Sequence, residues 1–370
     1  MAPFLCYFSA LAFLASQASS QRIVIPAHSP PGRDTITQWV SGPSGFDSPK
    51  VHPINETSYD WWYFDVVAKP DALGQQPSIT AIFHTTGNHG FDTLHLRSNS
   101  SYPSSNLVQV DLAWPNGTTE SWMFFAGETV ITVEKDGANG NFSKTGCSFE
   151  GAPDLSEYSV HIDAPEQGIA GSFRIRSEAA AHYTCGPNEE GQRMSLVPGA
   201  GWVNAIPDGY GEADFEIRGK RFKFQGRGYH DHDFGNRPFS HSYAASYWGH
   251  GRLGDYAVVW ADTLTPSGDN VVSAYVARGG EIVTAHCGGI RVRPYGANST
   301  YPPTTSTGAP TGFSMDVSIP EGHLQLQAET IYVTIRSEIY GRFTGTFSGT
   351  LNGERLPDGT SLWEQFTLQE

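Results

Sequence analysis

Cysteine is scarce in this chain: four residues in 370, at positions 6, 147, 185 and 287, with no C-x-x-C spacing among them. A structural zinc site of paired cysteines and a thioredoxin-like redox motif are therefore unsupported. Basic residues are few, 23 Lys plus Arg against 38 Asp plus Glu, which leaves a formal charge of -15. A field of that sign repels phosphate backbones and anionic lipid, and no basic run supplies a local exception, so nucleic acid is not an expected partner. Beyond Leu14 no apolar run approaches the length that spans a bilayer, and stable membrane insertion is not expected. A G-x-S-x-G elbow and a Walker A loop are both missing, so serine hydrolysis and phosphoryl transfer lose their usual anchors. What is abundant instead is turn chemistry, 41 Gly and 24 Pro, with 12% aromatic residues and only 16% charged ones. That balance describes a β-rich chain with many turns.

The first twenty residues run from an almost wholly apolar stretch, Phe4 to Leu14, into small residues at Ala18-Ser19-Ser20. This pattern predicts a secretory signal peptide over residues 1–20. Five N-x-S/T sequons, at Asn55, Asn99, Asn116, Asn141 and Asn298, agree with an N-glycosylated protein of the secretory pathway or extracellular space. Three cysteines remain after cleavage, enough for one disulfide and one free thiol. Cys147 with Cys185 is the favoured pair, both lying in turn-rich surroundings of the same half; three reduced, buried thiols are the alternative.

Period-two alternation dominates. Leu107 to Trp114 and Thr119 to Phe125 flank Pro115-Asn116-Gly117 and predict a hairpin. Similar runs are Ile79 to His84, Tyr158 to Ile162, Gly171 to Ile175, Tyr256 to Trp260, Val271 to Ala277, His323 to Gln327, Ile331 to Ile335 and Arg342 to Leu351. Short strands without amphipathic helices between them indicate an all-β protein of antiparallel sandwiches or barrels and disfavour a parallel nucleotide-binding sheet. The length suggests two domains, 21–225 and 226–370, with Gly226 to Trp248 crossing between them. Candidate linkers are Ser41 to Val51, Gly186 to Gly191, and Tyr295 to Thr311, the last read as a loop within the second domain.

Three clusters carry chemistry. Gly249-His250-Gly251-Arg252-Leu253-Gly254 fits G-x-G-x-x-G, but a strand-like run follows it where a dinucleotide site needs a helix, so its glycines read as a hairpin turn. In Tyr229-His230-Asp231-His232-Asp233 an extended backbone sends the two histidines one way and the two aspartates the other. A His-x-His pair suits a metal only with a third ligand, and cupin spacing would need Glu where Gly235 and Asn236 stand. A buried hydrogen-bonded network and acid–base work near neutral pH are both compatible with the cluster. Tyr59-Asp60-Trp61-Trp62-Tyr63-Phe64-Asp65 cannot send every aromatic ring into one core, so half of them face interdomain packing or a ligand. With Trp114, Trp122, Trp202, Trp248, Trp260 and Trp363 the chain has enough aromatic surface to line a cavity for a large apolar ligand, and His84 is placed to add a polar contact.

The Trp61-Trp62-Tyr63-Phe64 box, the central Gly228-Tyr229-His230-Asp231-His232 followed by Gly235, and Gly349-x-Leu351 leading to Leu362-Trp363-Glu364-Gln365-Phe366 resemble the lipocalin-like proteins related to hydroxyneurosporene synthase, a group that includes fungal Diels-Alderases. Asp233 and Phe234 stand where relatives often carry Asn and Trp. The leader and sequons are most similar to the secreted hetero-Diels-Alderases of tropolone-sesquiterpenoid biosynthesis. The resemblance implies two packed lipocalin-like β domains with a pocket between them, no cofactor, and small apolar polyketide and terpene substrates. It implies dehydration of a hydroxymethyl tropolone to an o-quinone methide and cycloaddition to a humulene-type alkene. On that reading His84, His230 or His232 assists loss of water, and Arg278 stabilises developing negative charge. Trp62, Tyr63 and Trp248 form the aromatic wall, with Asp65 and Asp233 as further substrate-binding candidates. Rival readings are a secreted carrier of an apolar metabolite, a Diels-Alderase acting on a polyene, and a metal enzyme built on His230 and His232.

Overall fold

The computed structural model describes residues 20–29, 32–92, 103–297 and 299–368. The expected leader, apart from Ser20, and the sequons at Asn99 and Asn298 lie outside the described residues. The alternating runs all form strands. In the expected hairpin, Asn106–Ala113 pairs antiparallel with Thr119–Phe125. Its turn needs Gly117, which sits at φ +82°, where a side chain would be strained.

Among the described residues the strands assemble into two curled antiparallel sheets, one of 15 strands and one of 10, plus a separate pair of Ile36–Thr37 with Val51–His52, so the chain is all-β with two packed lipocalin-like units. The strands that frame the site are β1 (Tyr59–Val67), β2 (Ser78–Thr86), β3 (Asn106–Ala113), β4 (Ala200–Ile217) and β5 (Lys220–Gly235) in the first sheet. In the second they are β6 (Ala245–Leu253), β7 (Tyr256–Leu264), β8 (Tyr340–Leu351) and β9 (Gly359–Thr367). Their spatial order is β4-β5-β1-β2-β3 and β7-β6-β9-β8. Each sheet curls around its own apolar core, and a third buried layer lies where the two pack against each other. That layer is rich in Tyr, Trp and Phe, because rings bury large area while tolerating tilted contacts.

Several expectations need correction. The chain leaves the first sheet after Gly235 and enters the second at Ala245, later than the expected break at 225/226, because β5 pairs with β1 along Arg227 to Gly235 and cannot be divided. Ser41 to Val51 is no linker. Asp47 and Lys50 from this segment are buried in the first unit, Asp47 accepting hydrogen bonds from Tyr158 at 2.7 Å, His230 at 3.1 Å and His232 at 3.1 Å. Burial of such charges is tolerable only with partners of this kind. The disulfide joins Cys185 to Cys287, and Cys147 is a buried free thiol. Sheet packing brings Cys185 of one unit beside Cys287 of the other, which sequence proximity does not foresee.

The G-x-G-x-x-G glycines divide. Gly254 makes the turn at φ +53°, whereas Gly249 and Gly251 lie inside β6. A Cβ at 249 would sit 2.4 Å from Trp260 Cζ2 and 2.7 Å from Trp363 Cβ, so glycine is there to admit two indoles. Tyr295 to Thr311 is a loop within the second sheet, as expected, since Tyr295 pairs with Gly312 across it.

Candidate active site

Alternation along β1 and β5 builds the floor of a cavity between the sheets. Tyr59, Trp61 and Tyr63 face the second sheet, while Trp62 and Phe64 face the core of the first. On β5, Asp231 and Asp233 face the cavity and His230 and His232 face away. Cross-strand register arranges the floor in two rows. Trp202, Asp233, Trp61 and His84 are successive partners across β4, β5, β1 and β2. Asp231, Tyr63, Ile82 and Gln109 follow across β5, β1, β2 and β3. Trp248, Tyr340, Arg342, Glu364 and Phe366 close the cavity from the second sheet.

Two carboxyl groups thus enter an aromatic cavity side by side. Asp231 accepts from Trp202 Nε1 at 2.7 Å and from the Tyr229 hydroxyl at 2.8 Å, and Asp233 accepts from Trp61 Nε1 at 3.0 Å. Burial raises both above the carboxylate range, and the charge of Asp231 pushes Asp233 further. The two donors on Asp231 limit its rise to about 7, so Asp231 is the first of the pair to ionise and Asp233 holds its proton longer. A neutral carboxylic acid beside a carboxylate gives a proton and takes one back within the same cavity.

A closed charge network bridges the floor and the opposite wall. Arg342, 2% exposed, donates through Nε to Glu364 at 2.7 Å and through Nη1 to Asp111 at 3.0 Å. Tyr340 donates to the same Glu364 oxygen at 2.6 Å, and Gln109 donates to Asp111 at 2.7 Å. The guanidinium also lies 5.5 Å from the Tyr63 ring centroid. Its charge is met by two carboxylates, as a buried arginine requires.

Of the expected site residues, His84, Tyr63, Asp233 and Trp248 line this cavity together. His230 and His232 do not reach it. His230 binds Tyr63 O at 2.9 Å and Asp47 at 3.1 Å, and His232 is held between Asp47 and Asp60. Burial opposes charge on His232, but Asp60 and Asp47 outweigh it and raise its pKa. Burial likewise opposes ionisation of Asp47, yet the His230 and His232 imidazoles hold its carboxyl well below the usual range. These histidines anchor the 41–51 segment, and the reason is the alternation that turns the aspartates toward the ligand space. Trp62 packs 4.5 Å from the His232 ring in the first core, and Trp61 takes the position in the cavity wall. Asp65 is buried on the cavity side of β1 but is bound by His250 at 2.8 Å, beneath the space it was expected to line. Arg278 ends its strand at the surface over the Tyr256 ring, where it stabilises no group in the cavity. Among the described residues no group of three His, Cys, Asp or Glu side chains is placed to hold a metal ion.

Trp202 lines the cavity as the tryptophan count suggested, whereas Asp231, Trp61, Arg342 and Glu364 were not among the expected site residues. Asp231 and Trp61 were legible from the two-residue period once one neighbour was placed. Arg342 and Glu364 depend on how the second sheet lies over the first, for which no local pattern exists.

The family profile described as Diels-Alderase-like matches residues 26–289. The chain is 32% identical to the quinolone epoxide rearrangement protein asqO of Emericella nidulans over 88% of each chain. It is 32% identical to the quinolone epoxide rearrangement protein penF of Penicillium thymicola, over 90% of this chain and 91% of penF. Among solved structures, CghA with Sch210972 superposes with a TM-score of 0.75 at 18% identity, covering 94% of this chain and 99% of CghA, a likeness of fold. Fold, cavity and sequence agree that this chain is an enzyme of the Diels-Alderase-like family.

Proposed function

We propose that the chain catalyses a proton-assisted rearrangement of a quinolone epoxide, or of a close planar analogue, in the cavity between its sheets. The observation that carries this is the Asp233–Asp231 pair, two buried carboxyl groups on an aromatic floor, both raised by burial and Asp233 raised further by the charge of Asp231. The relatives aligned over most of the chain are named for rearranging a quinolone epoxide, which supports the substrate class. Asp233 gives its proton to the epoxide oxygen, and the C–O bond breaks with its electron pair going to that oxygen. A migrating group or π pair of the substrate fills the electron-poor carbon, and the proton then shed returns to the carboxyl pair. The product is an isomer of the substrate, so no co-reactant is consumed.

The tropolone reading uses the same acid, and the family's name supports it. Asp233 protonates the hydroxyl of a hydroxymethyl tropolone, water leaves as the tropolone hydroxyl gives up its proton, and the o-quinone methide adds to a humulene-type alkene. Secretion and N-glycosylation belong to this proposal. Asn116 and Asn141 are exposed, and a disulfide between Cys185 and Cys287 suits an oxidising compartment.

The test incubates the purified protein with an aryl quinolone epoxide and, separately, with a hydroxymethyl tropolone plus humulene. Products are followed by chiral chromatography with mass detection against boiled enzyme. A single enantiomer of unchanged mass supports the rearrangement, and an adduct lighter by one water supports the tropolone pair. Rates equal to the boiled control on both reject the proposal.

A further inference from the structure

Among the described residues five histidines are fully buried, and four of them, His182, His230, His232 and His250, have at least one ring nitrogen hydrogen-bonded within the chain. His84 is the fifth. It is 1% exposed, it lines the cavity, and neither Nδ1 nor Nε2 has a hydrogen-bond partner among the described residues. Leaving a buried imidazole without partners costs free energy that folding alone gives no reason to spend. Its ring is fixed all the same, stacked 5.6 Å from Phe91 at an interplanar angle of 21° and 5.6 Å from Trp61. Burial, and then the nearby Arg342 charge, push its pKa down to about 3, so it is a neutral ring with one N–H and one lone pair.

His84 and Asp233 stand in one register row with Trp61 between them. Two strand spacings separate them by roughly 10 Å at the backbone. The charge of Arg342 is matched by Asp111 and Glu364, and the aspartate pair adds negative charge, so an anionic group gains nothing in this cavity.

We propose that His84 is the specificity-determining residue for the end of the substrate remote from the acid, hydrogen-bonding an uncharged carbonyl, N–H or O–H on a planar fused-ring molecule whose reacting oxygen lies at Asp233. This rests on the cavity being the active site. It goes beyond that reading by naming the pole that His84 holds and the reach of the molecule between the two poles. His84 acts in positioning, and the proton transfer stays with the aspartates.

The experiment titrates the full protein with 4-phenylquinolin-2(1H)-one, with tropolone and with 1-phenylnaphthalene, which has the quinolone's shape and no polar group, following tryptophan fluorescence. Wild type, His84→Phe and His84→Gln are compared. His84→Phe is expected to weaken the quinolone or tropolone about 10-fold. It should change 1-phenylnaphthalene by less than about twofold, and His84→Gln should recover part of the loss. The melting temperature of His84→Phe should equal or exceed wild type, because an unsatisfied polar ring has been replaced by an apolar one. Unchanged affinity for both polar probes, no binding of either by the wild type, or a lowered melting temperature would overturn the proposal. The acid reading fails separately: His84-dependent binding with no turnover of any substrate rejects the acid and keeps His84.

Discussion

Asp233 is the residue on which the chemistry turns, and its protonation has a consequence for folding as well as for catalysis. In the unfolded chain its carboxyl titrates near the ordinary value of 3.8, whereas burial and the charge of Asp231 keep it protonated in the folded state. The folded state therefore binds more protons above that pH, and stability falls as pH rises, by up to about 1.4 kcal/mol per pH unit and per group. For Asp231 the same loss runs from 3.8 to about 7. Asp233→Asn retains an acceptor for Trp61 and removes the titration. Denaturant melts across pH 5 to 9 should show a flatter stability profile for the variant, with a stability at high pH at or above wild type. Turnover should drop on the order of 100-fold or more, the usual worth of a positioned acid. A variant that kept full turnover would remove Asp233 from the mechanism.

At the scale of elements, strand alternation decides which neighbour of a pair does which job. His232 and Asp233 are adjacent, yet one ties the 41–51 segment into the core and the other meets the ligand space. His232→Ala leaves Asp47 and Asp60 buried with a partner lost, and unfolding measurements should show a loss of about 3–5 kcal/mol. Any fall in activity should follow the unfolded fraction. Strand β6 makes a different demand. Gly249→Val forces a side chain into space held by Trp260 and Trp363, with an expected cost of about 1–3 kcal/mol in chemical denaturation and a displaced Trp248 wall. The alternation itself was legible in the sequence, and so was the hairpin at Asn116-Gly117. The choice of face was not, because a period of two says which side chains share a side and leaves open which side meets the ligand.

Across the whole molecule the two sheets are joined by the Cys185–Cys287 disulfide, which closes a sequence separation of 102 residues. Cys287→Ser should lower stability by roughly 2–4 kcal/mol in thermal or denaturant unfolding. Cys147→Ser, at the buried free thiol, should leave the response to reductant unchanged. The same packing of sheets places Arg342 and Glu364 over the aspartates.

By itself the sequence determined the all-β class, the positions of the clearly alternating strands, the two opposed faces of Tyr229 to Asp233, and the family, since these follow from local alternation and contiguous motifs. Tertiary structure alone decided that Asp231 and Asp233 and not His230 and His232 enter the cavity, that Cys185 pairs with Cys287, and that Asp47 and Lys50 are buried in the first unit. Each of these depends on contacts between segments far apart in the chain, and only the closing of one curled sheet over another fixes which of them meet.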